Sequence, residues 1–162
     1  MKHTLEFITL GAEVRRYHTV ATVHEETVGH HSHGVALLCL QLNPQASREL
    51  LYAALVHDLA EQHVGDVPSP AKRTLGFADK LDELEHTIIC DGMGWHPVLS
   101  EAEQRTLKLA DIAQGALKCV REIELGNRRM RTVYDRYMAY ANGMVLLGRE
   151  AELFNAIKGM VK

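Results

Sequence analysis

The chain has 162 residues, 46% of them apolar and 24% charged, which fits one globular domain with a sizeable core and excludes a disordered chain. The net charge is −3, with no block of Lys or Arg, which disfavours duplex nucleic acid as the main partner. No apolar run approaches the roughly 20 residues that span a bilayer, and Glu6 comes too early for a signal peptide, so a cytoplasmic protein with no membrane partner is expected.

Taken in chain order, the pattern is helical almost throughout. Residues 4–14 have apolar positions at Leu5, Ile8 and Leu10, with Thr4 as a candidate N-cap. Residues 17–29 read as irregular. A second helix is predicted from about His31 to Leu42, ended by Asn43-Pro44, where Asn43 would cap a third helix over 44–63 and Gly65 would close it. Asp66-Val67-Pro68-Ser69-Pro70 reads as a stiff loop, because each proline fixes φ and removes a donor. A helix near 77–91 follows. Ser100 with Glu103 forms an S-x-x-E capping box that opens a long helix to about Leu125, stopped by Gly126-Asn127. One or two helices finish the chain, at 128–146 and 149–160. Their Tyr134, Tyr137, Met138 and Tyr140 are expected to make core contacts more than interface contacts. No strand pattern, repeat or Gly-rich phosphate loop is present. The expectation is a single all-α domain over residues 1–162, built from about six to eight helices.

Cys39, Cys90 and Cys119 share no metal-binding spacing and read as thiols in a reducing compartment. Histidine is the unusual residue, with ten in the chain. Three of them fall in His30-His31-Ser32-His33. A further His, with Asp beside it, interrupts the apolar run Ala53-Ala54-Leu55-Val56-His57-Asp58-Leu59-Ala60. A buried carboxylate without a partner costs several kcal/mol, so something must compensate Asp58. Asp111 interrupts another apolar helical stretch, Leu107 to Ala113. Each feature alone has an ordinary explanation: a local His-Asp pair, an Asp111 ion pair with Lys108 or Lys118, a solvated helix start. Together, two imidazoles and two carboxylates suit a divalent ion such as Zn²⁺, Co²⁺ or Mn²⁺. Glu61 follows His57 by four residues and Asp58 by three, which puts it on the same side.

The ordered set Arg16-Tyr17, His31-Ser32 with Val35-Ala36, His57-Asp58 with Glu61, Gly65-Asp66-Val67-Pro68-Ser69-Pro70 with Lys72, and Lys108 through Asp111 with Lys118 resembles the HD-domain phosphohydrolases over about residues 10–127. Within them the likeness is to bacterial 5′-deoxynucleotidases and phage dATP triphosphohydrolases. The resemblance implies a compact helical HD domain and a metal site of His31, His57, Asp58 and Asp111. It favours His31 over His30 and His33. It implies Glu61 and Asp66 as catalytic carboxylates, Glu61 taking or delivering a proton and Asp66 orienting the substrate or aiding the leaving group. Arg16 would bind phosphate through its guanidinium fork. Tyr17 stands where the 5′-deoxynucleotidases carry tryptophan, packing against a sugar that lacks a 2′-hydroxyl. Lys72, Lys108 and Lys118 would neutralise a polyphosphate.

The implied substrate is a small 2′-deoxynucleotide, most readily dATP cleaved to deoxynucleoside and triphosphate. Release of phosphate from dNMPs is the alternative, and a non-catalytic nucleotide-binding regulator is an alternative of another class. A homo-oligomer is implied by the family likeness alone.

Overall fold

The computed structural model describes residues 1–161, with the side chains of residues 69, 70 and 73 set aside. Among them are seven helices of nine or more residues and two short ones: α1 (Lys2–Ala12), α2 (Val28–Leu42), α3 (Arg48–Val56), α4 (Glu61–Val64), α5 (Ser69–Leu75), α6 (Ala78–Met93), α7 (Glu101–Glu124), α8 (Met130–Asn142) and α9 (Arg149–Met160). The all-α expectation holds; the extended backbone pairing among these residues is one antiparallel bridge, Arg15 to Thr27.

Helix α7 is the axis of the molecule, packed against α2, α3, α8 and α9. The sequence explains why it can be. Ala110, Ala113, Gly115 and Ala116 are all buried, and such small side chains let neighbouring backbones come close. Its start is the predicted capping box: Ser100 Oγ accepts from the Glu103 amide, and the Glu103 carboxylate accepts from the Ser100 amide. Its end is Gly126 at φ 91°, which glycine adopts without steric cost. One core joins α7 to α8 and α9 through Leu109, Ile112, Met130, Tyr134, Met138, Phe154 and Ile157. A second joins α2 and α3 to α7 through Val35, Cys39, Leu50, Ala54 and Ala110. Tyr134 and Met138 therefore serve the core, whereas Tyr140 is 49% exposed.

Three local predictions are corrected. First, α1 does not bury Leu5, Ile8 and Leu10, which are 59%, 39% and 57% exposed. It docks instead through Phe7 and Gly11, one turn apart. A Cβ on Gly11 would stand 2.8 Å from Leu59 Cδ2, so glycine is what permits the approach. The helix also starts at Lys2 with no side-chain cap from Thr4. Second, Asn43 does not cap α3. Its N–H bonds Cys39 O at 2.8 Å and so closes α2, while Ser47 Oγ accepts from the Leu50 amide at 3.0 Å and starts α3 at Arg48.

Third, no continuous helix runs over 44–63. α3 ends at the bond from His57 N–H to Ala53 O; beyond it Leu59, Glu61, Gln62 and His63 bond back three residues, to Val56, Asp58, Leu59 and Ala60, before Gly65 N–H to Glu61 O restores the four-residue spacing. His57-Asp58 therefore lies in a tight 3₁₀-bonded turn between α3 and α4, not inside a helix. The proline loop is likewise shorter than predicted, since α5 begins at Ser69 with proline in its first turn, where a missing N–H costs nothing.

Helices α7 and α8 touch at a site-facing contact. A Cβ on Gly115 would fall 2.7 Å from the Tyr137 hydroxyl oxygen. Gly115→Ala is expected to displace Tyr137 and destabilise the fold by about 1–3 kcal/mol, as overpacking does. Thermal unfolding of the variant measures it.

Candidate functional site

The site lies where α2, the α3–α4 turn, α7 and the loop before α2 converge. That loop is closed at its neck by two backbone bonds, Arg16 N–H to Glu26 O and Val28 N–H to Val14 O, both 2.9 Å. It is tied to α7 by the buried carboxylate of Glu122, which accepts from the amides of Val23 (2.6 Å) and His24 (3.0 Å), from Asn127 Nδ2 (2.9 Å) and from Lys118 Nζ (2.9 Å). Lys118 also donates to His24 O at 2.5 Å. Arg16 and Tyr17 are thereby delivered to the site from one end of the loop and Glu26 from the other.

Of the three clustered histidines, His31 is fully buried and faces the site, while His30 and His33 are exposed. His31 Nε2 stands 3.3 Å from His57 Nε2, 3.4 Å from Asp58 Oδ2 and 3.3 Å from Asp111 Oδ1; His57 Nε2 is 3.4 Å from Asp58 Oδ1. Two donors bound to one ion at about 2.1 Å in tetrahedral geometry stand about 3.4 Å apart, so these separations fit a shared cation. The chemistry fits as well. His57 Nδ1 lies 2.9 Å from Ala54 O, which can only accept, so Nδ1 carries the proton and Nε2 is bare. Lone pairs of two carboxylates and an imidazole crowd one point, and a cation or a proton must lie among them. His31, His57 and Asp58 can hold a divalent ion, their donor atoms all lying within 4.8 Å of one another, whereas Asp111, the fourth expected ligand, lies outside that mutual set and approaches it at His31.

Arg16 supplies the positive charge next to this cluster. Its Nη1 bonds Asp58 Oδ2 and lies 3.9 Å from Glu61 Oε1, and its Nε lies 3.5 Å from Glu26 Oε2. Burial opposes the charged form of Asp58, but His57, Arg16 and His31 hold its carboxyl below the usual range. Asp111 is also held down: burial is outweighed by His31, 3.3 Å away, and by Lys108, 3.4 Å away. For His31, burial is outweighed by Asp111 and Asp58, and its pKa rises. Glu61 moves the other way. Burial and the neighbouring Asp58 push it well above the carboxylate range, with Arg16 offsetting only part. Its Oε2 is buried with no hydrogen-bond partner, an unsatisfied acceptor beside the cluster.

The remaining expected residues divide. Asp66 Oδ2 accepts from the Tyr17 amide at 2.9 Å, holding a residue whose φ of 59° is unusual for a non-glycine. The Tyr17 and Tyr137 hydroxyls are 3.0 Å apart. Lys108 is exposed and flanks Asp111. Lys72 pairs with Glu85 at 3.5 Å. Lys118, expected to meet phosphate, is instead 8% exposed and held by Glu122. Its place on the inward face of α7 explains this.

Three neighbours of the site escaped the sequence reading. Gln114 Oε1 lies 2.6 Å from His31 Nδ1, and Gln114 Nε2 donates to Glu26 Oε1 at 2.9 Å. Tyr137 faces Tyr17. Gln114 had a signal, being three residues after Asp111 on one helical face; Glu26 and Tyr137 had none.

A family model described as an HD domain matches residues 10–90. The chain is 27% identical over 154 residues to a dATP triphosphohydrolase of Salmonella phage PMBT28, covering 85% of this chain and 78% of that one. It is 38% identical over 65 residues to protein YfdR of Escherichia coli K12, covering 40% of this chain and 35% of YfdR, so the match spans about a third of that relative. Among solved structures, the cyanophage S-2L HD phosphohydrolase DatZ, bound to dA and one catalytic Zn²⁺, has the same fold, with a TM-score of 0.61 at 20% identity over 95% of this chain and 96% of that one. The family match, the fold and the ordered His, His-Asp and Asp residues agree: the chain belongs to the HD-domain family, the metal-dependent phosphohydrolases that its sequence resembles.

Proposed function

We propose that this HD-type phosphohydrolase cleaves 2′-deoxynucleotides at the α-phosphate, with dATP giving deoxyadenosine and triphosphate. The observation that carries the reading is the convergence of the His31, His57 and Asp58 donors, with Asp111 against His31, beside a largely buried arginine and a buried glutamate whose Oε2 has no hydrogen-bond partner. The names of the phage relative and of DatZ point to the same substrate class.

In this reading His31, His57, Asp58 and Asp111 hold a divalent ion, zinc, cobalt or manganese, which supplies Lewis acidity toward a phosphoryl oxygen when bound. Arg16 would grip a phosphate through its guanidinium, whose Nη1 and Nε already face Asp58 and Glu26. Lys108 and Lys72 add charge at the rim. Tyr17, fixed by Asp66 and Tyr137, gives a flat surface for the sugar. Glu61 returns to its ionised form beside the charge of a bound divalent ion; its Oε2 then accepts the proton of the attacking water as the new O–P bond forms, and returns it to the 5′-oxygen as the P–O5′ bond breaks. Glu61 thus ends as it began, and the proton count closes.

The products test this. Metal-loaded protein incubated with dATP is expected to release triphosphate and deoxyadenosine, and to act more slowly on dAMP. The pairing of Lys118 with Glu122 favours a second reading, a 5′-deoxynucleotidase, because it removes a cation from those available to a polyphosphate. Phosphate from dAMP with dATP untouched would establish that second reading. Pyrophosphate release would sink both.

A further inference from the structure

Five buried or half-buried polar side chains close a ring: Arg16 to Asp58, Asp58 to His31, His31 to Gln114, Gln114 to Glu26, and Glu26 back to Arg16. The direction of its hydrogen bonds follows from one member. Glu26, 7% exposed, has Oε2 3.5 Å from Arg16 Nε and Oε1 2.9 Å from the Gln114 amide. Gln114 must therefore turn its NH₂ toward Glu26 Oε1, since the opposite orientation would set two oxygens 2.9 Å apart. Its carbonyl oxygen then faces His31 Nδ1 at 2.6 Å, and Nδ1 must carry the proton. That leaves His31 Nε2 bare on the side of His57, Asp58 and Asp111. Gly34 is what lets Gln114 lie this close to α2, since a Cβ there would stand 2.9 Å from Gln114 Cγ.

We propose that Glu26, acting through Gln114, sets the tautomer of His31 and so makes its Nε2 available as a metal ligand, while its other oxygen faces the arginine that would bind phosphate. Glu26 and Gln114 are positioning residues; neither touches the reacting atoms. The inference rests on the metal site proposed above, but the tautomer is a property of the protein without metal. Metal-ligating histidines ordinarily depend on such an outer partner. Here the partner is a neutral amide whose orientation a more distant carboxylate dictates.

The test is Glu26→Gln. A glutamine at 26 can donate to Gln114 Oε1 and lets the Gln114 amide reverse, presenting N–H to His31 and moving its proton to Nε2. Long-range ¹H–¹⁵N correlation of the imidazoles in metal-free protein, in mildly alkaline buffer, is expected to show His31 Nδ1 protonated in the unsubstituted protein. A mixed or Nε2–H tautomer is expected in Glu26→Gln. Zinc affinity, measured by competition with a chelating dye, is expected to fall about 10–100-fold in that variant. Gln114→Glu, sharing one proton with Glu26 across the 2.9 Å contact, keeps an acceptor facing Nδ1 and is expected to retain both the tautomer and the affinity to within a few-fold. A purely structural role for the pair would not separate these two variants. An unchanged His31 tautomer and unchanged zinc affinity in Glu26→Gln overturn the relay. Failure of the unsubstituted protein to bind zinc, cobalt or manganese overturns the metal assignment instead.

Discussion

Asp58→Asn is expected to lower the proposed hydrolysis by roughly 10³-fold or more, equivalent to about 4 kcal/mol of transition-state stabilisation, because it removes charge from the point where the metal donors meet. Both Asp58 oxygens are engaged, one toward His57 and one toward His31 and Arg16. Asparagine keeps the shape, but offers one neutral oxygen and an N–H that points into the site. Bound metal, read by elemental analysis after gel filtration, should fall in parallel with rate. The chain should remain folded, since Arg16 keeps Glu26 and Glu61 as partners. Full hydrolysis by Asp58→Asn would remove Asp58 from the proposed site.

Glu122→Gln is expected to destabilise the protein by about 3–5 kcal/mol, because it leaves the buried Lys118 ammonium without its counter-charge. For a chain of this size that is a fall in Tm of roughly 6–20 °C. The same carboxylate predicts a pH dependence. Burial alone would raise the pKa of Glu122, but the Val23 and His24 amides, Asn127 and Lys118 overcome it and hold the carboxyl at about 2, against 4.5 when unfolded. A group depressed in the folded state contributes stability that is fully present above its unfolded pKa and is lost as pH falls toward the folded one. Tm of the unsubstituted protein should therefore decline from about pH 4.5 toward pH 2, and Glu122→Gln should flatten that part of the profile. An equal slope in both proteins would show that other groups carry the acid transition. Because Glu122 ties down the loop that carries Arg16 and Tyr17, nucleotide affinity should fall in the variant more than metal affinity.

Much of the molecule is decided by interactions between near neighbours in the chain, and these are visible in the sequence. The capping box of Ser100 and Glu103, the stop at Gly126 and the cap at Gly65 each act over three or four residues, and all three stand where the pattern puts them. The order of His31, His57-Asp58 and Asp111 is likewise a property of the sequence, because polar residues in apolar stretches need a partner wherever the chain takes them. Packing decided the rest. Periodicity assigns an apolar stripe to α1 through Leu5, Ile8 and Leu10, yet Gly11 is what lets the helix approach Leu59, and it docks through Phe7 instead. Local propensity does not place the break at His57, since Val56, His57 and Asp58 disfavour a helix only weakly between Ala53-Ala54-Leu55 and Leu59-Ala60; the turn forms where their side chains meet α2 and α7.

Long-range partners are the other class that only the tertiary structure reveals. Gln114 is 83 residues from His31 and 88 from Glu26, and Glu122 is 99 from Val23. Their meeting depends on how α7 is rotated against α2, an angle that no local pattern encodes. The same rotation turns Lys118 inward to Glu122 and leaves Lys108 facing solvent beside Asp111. The sequence by itself therefore determined which residue types form the centre, because each carries the cost of its own burial. The tertiary structure decided which of the three clustered histidines faces that centre, which lysine stays beside it, and which buried carboxylate orients it.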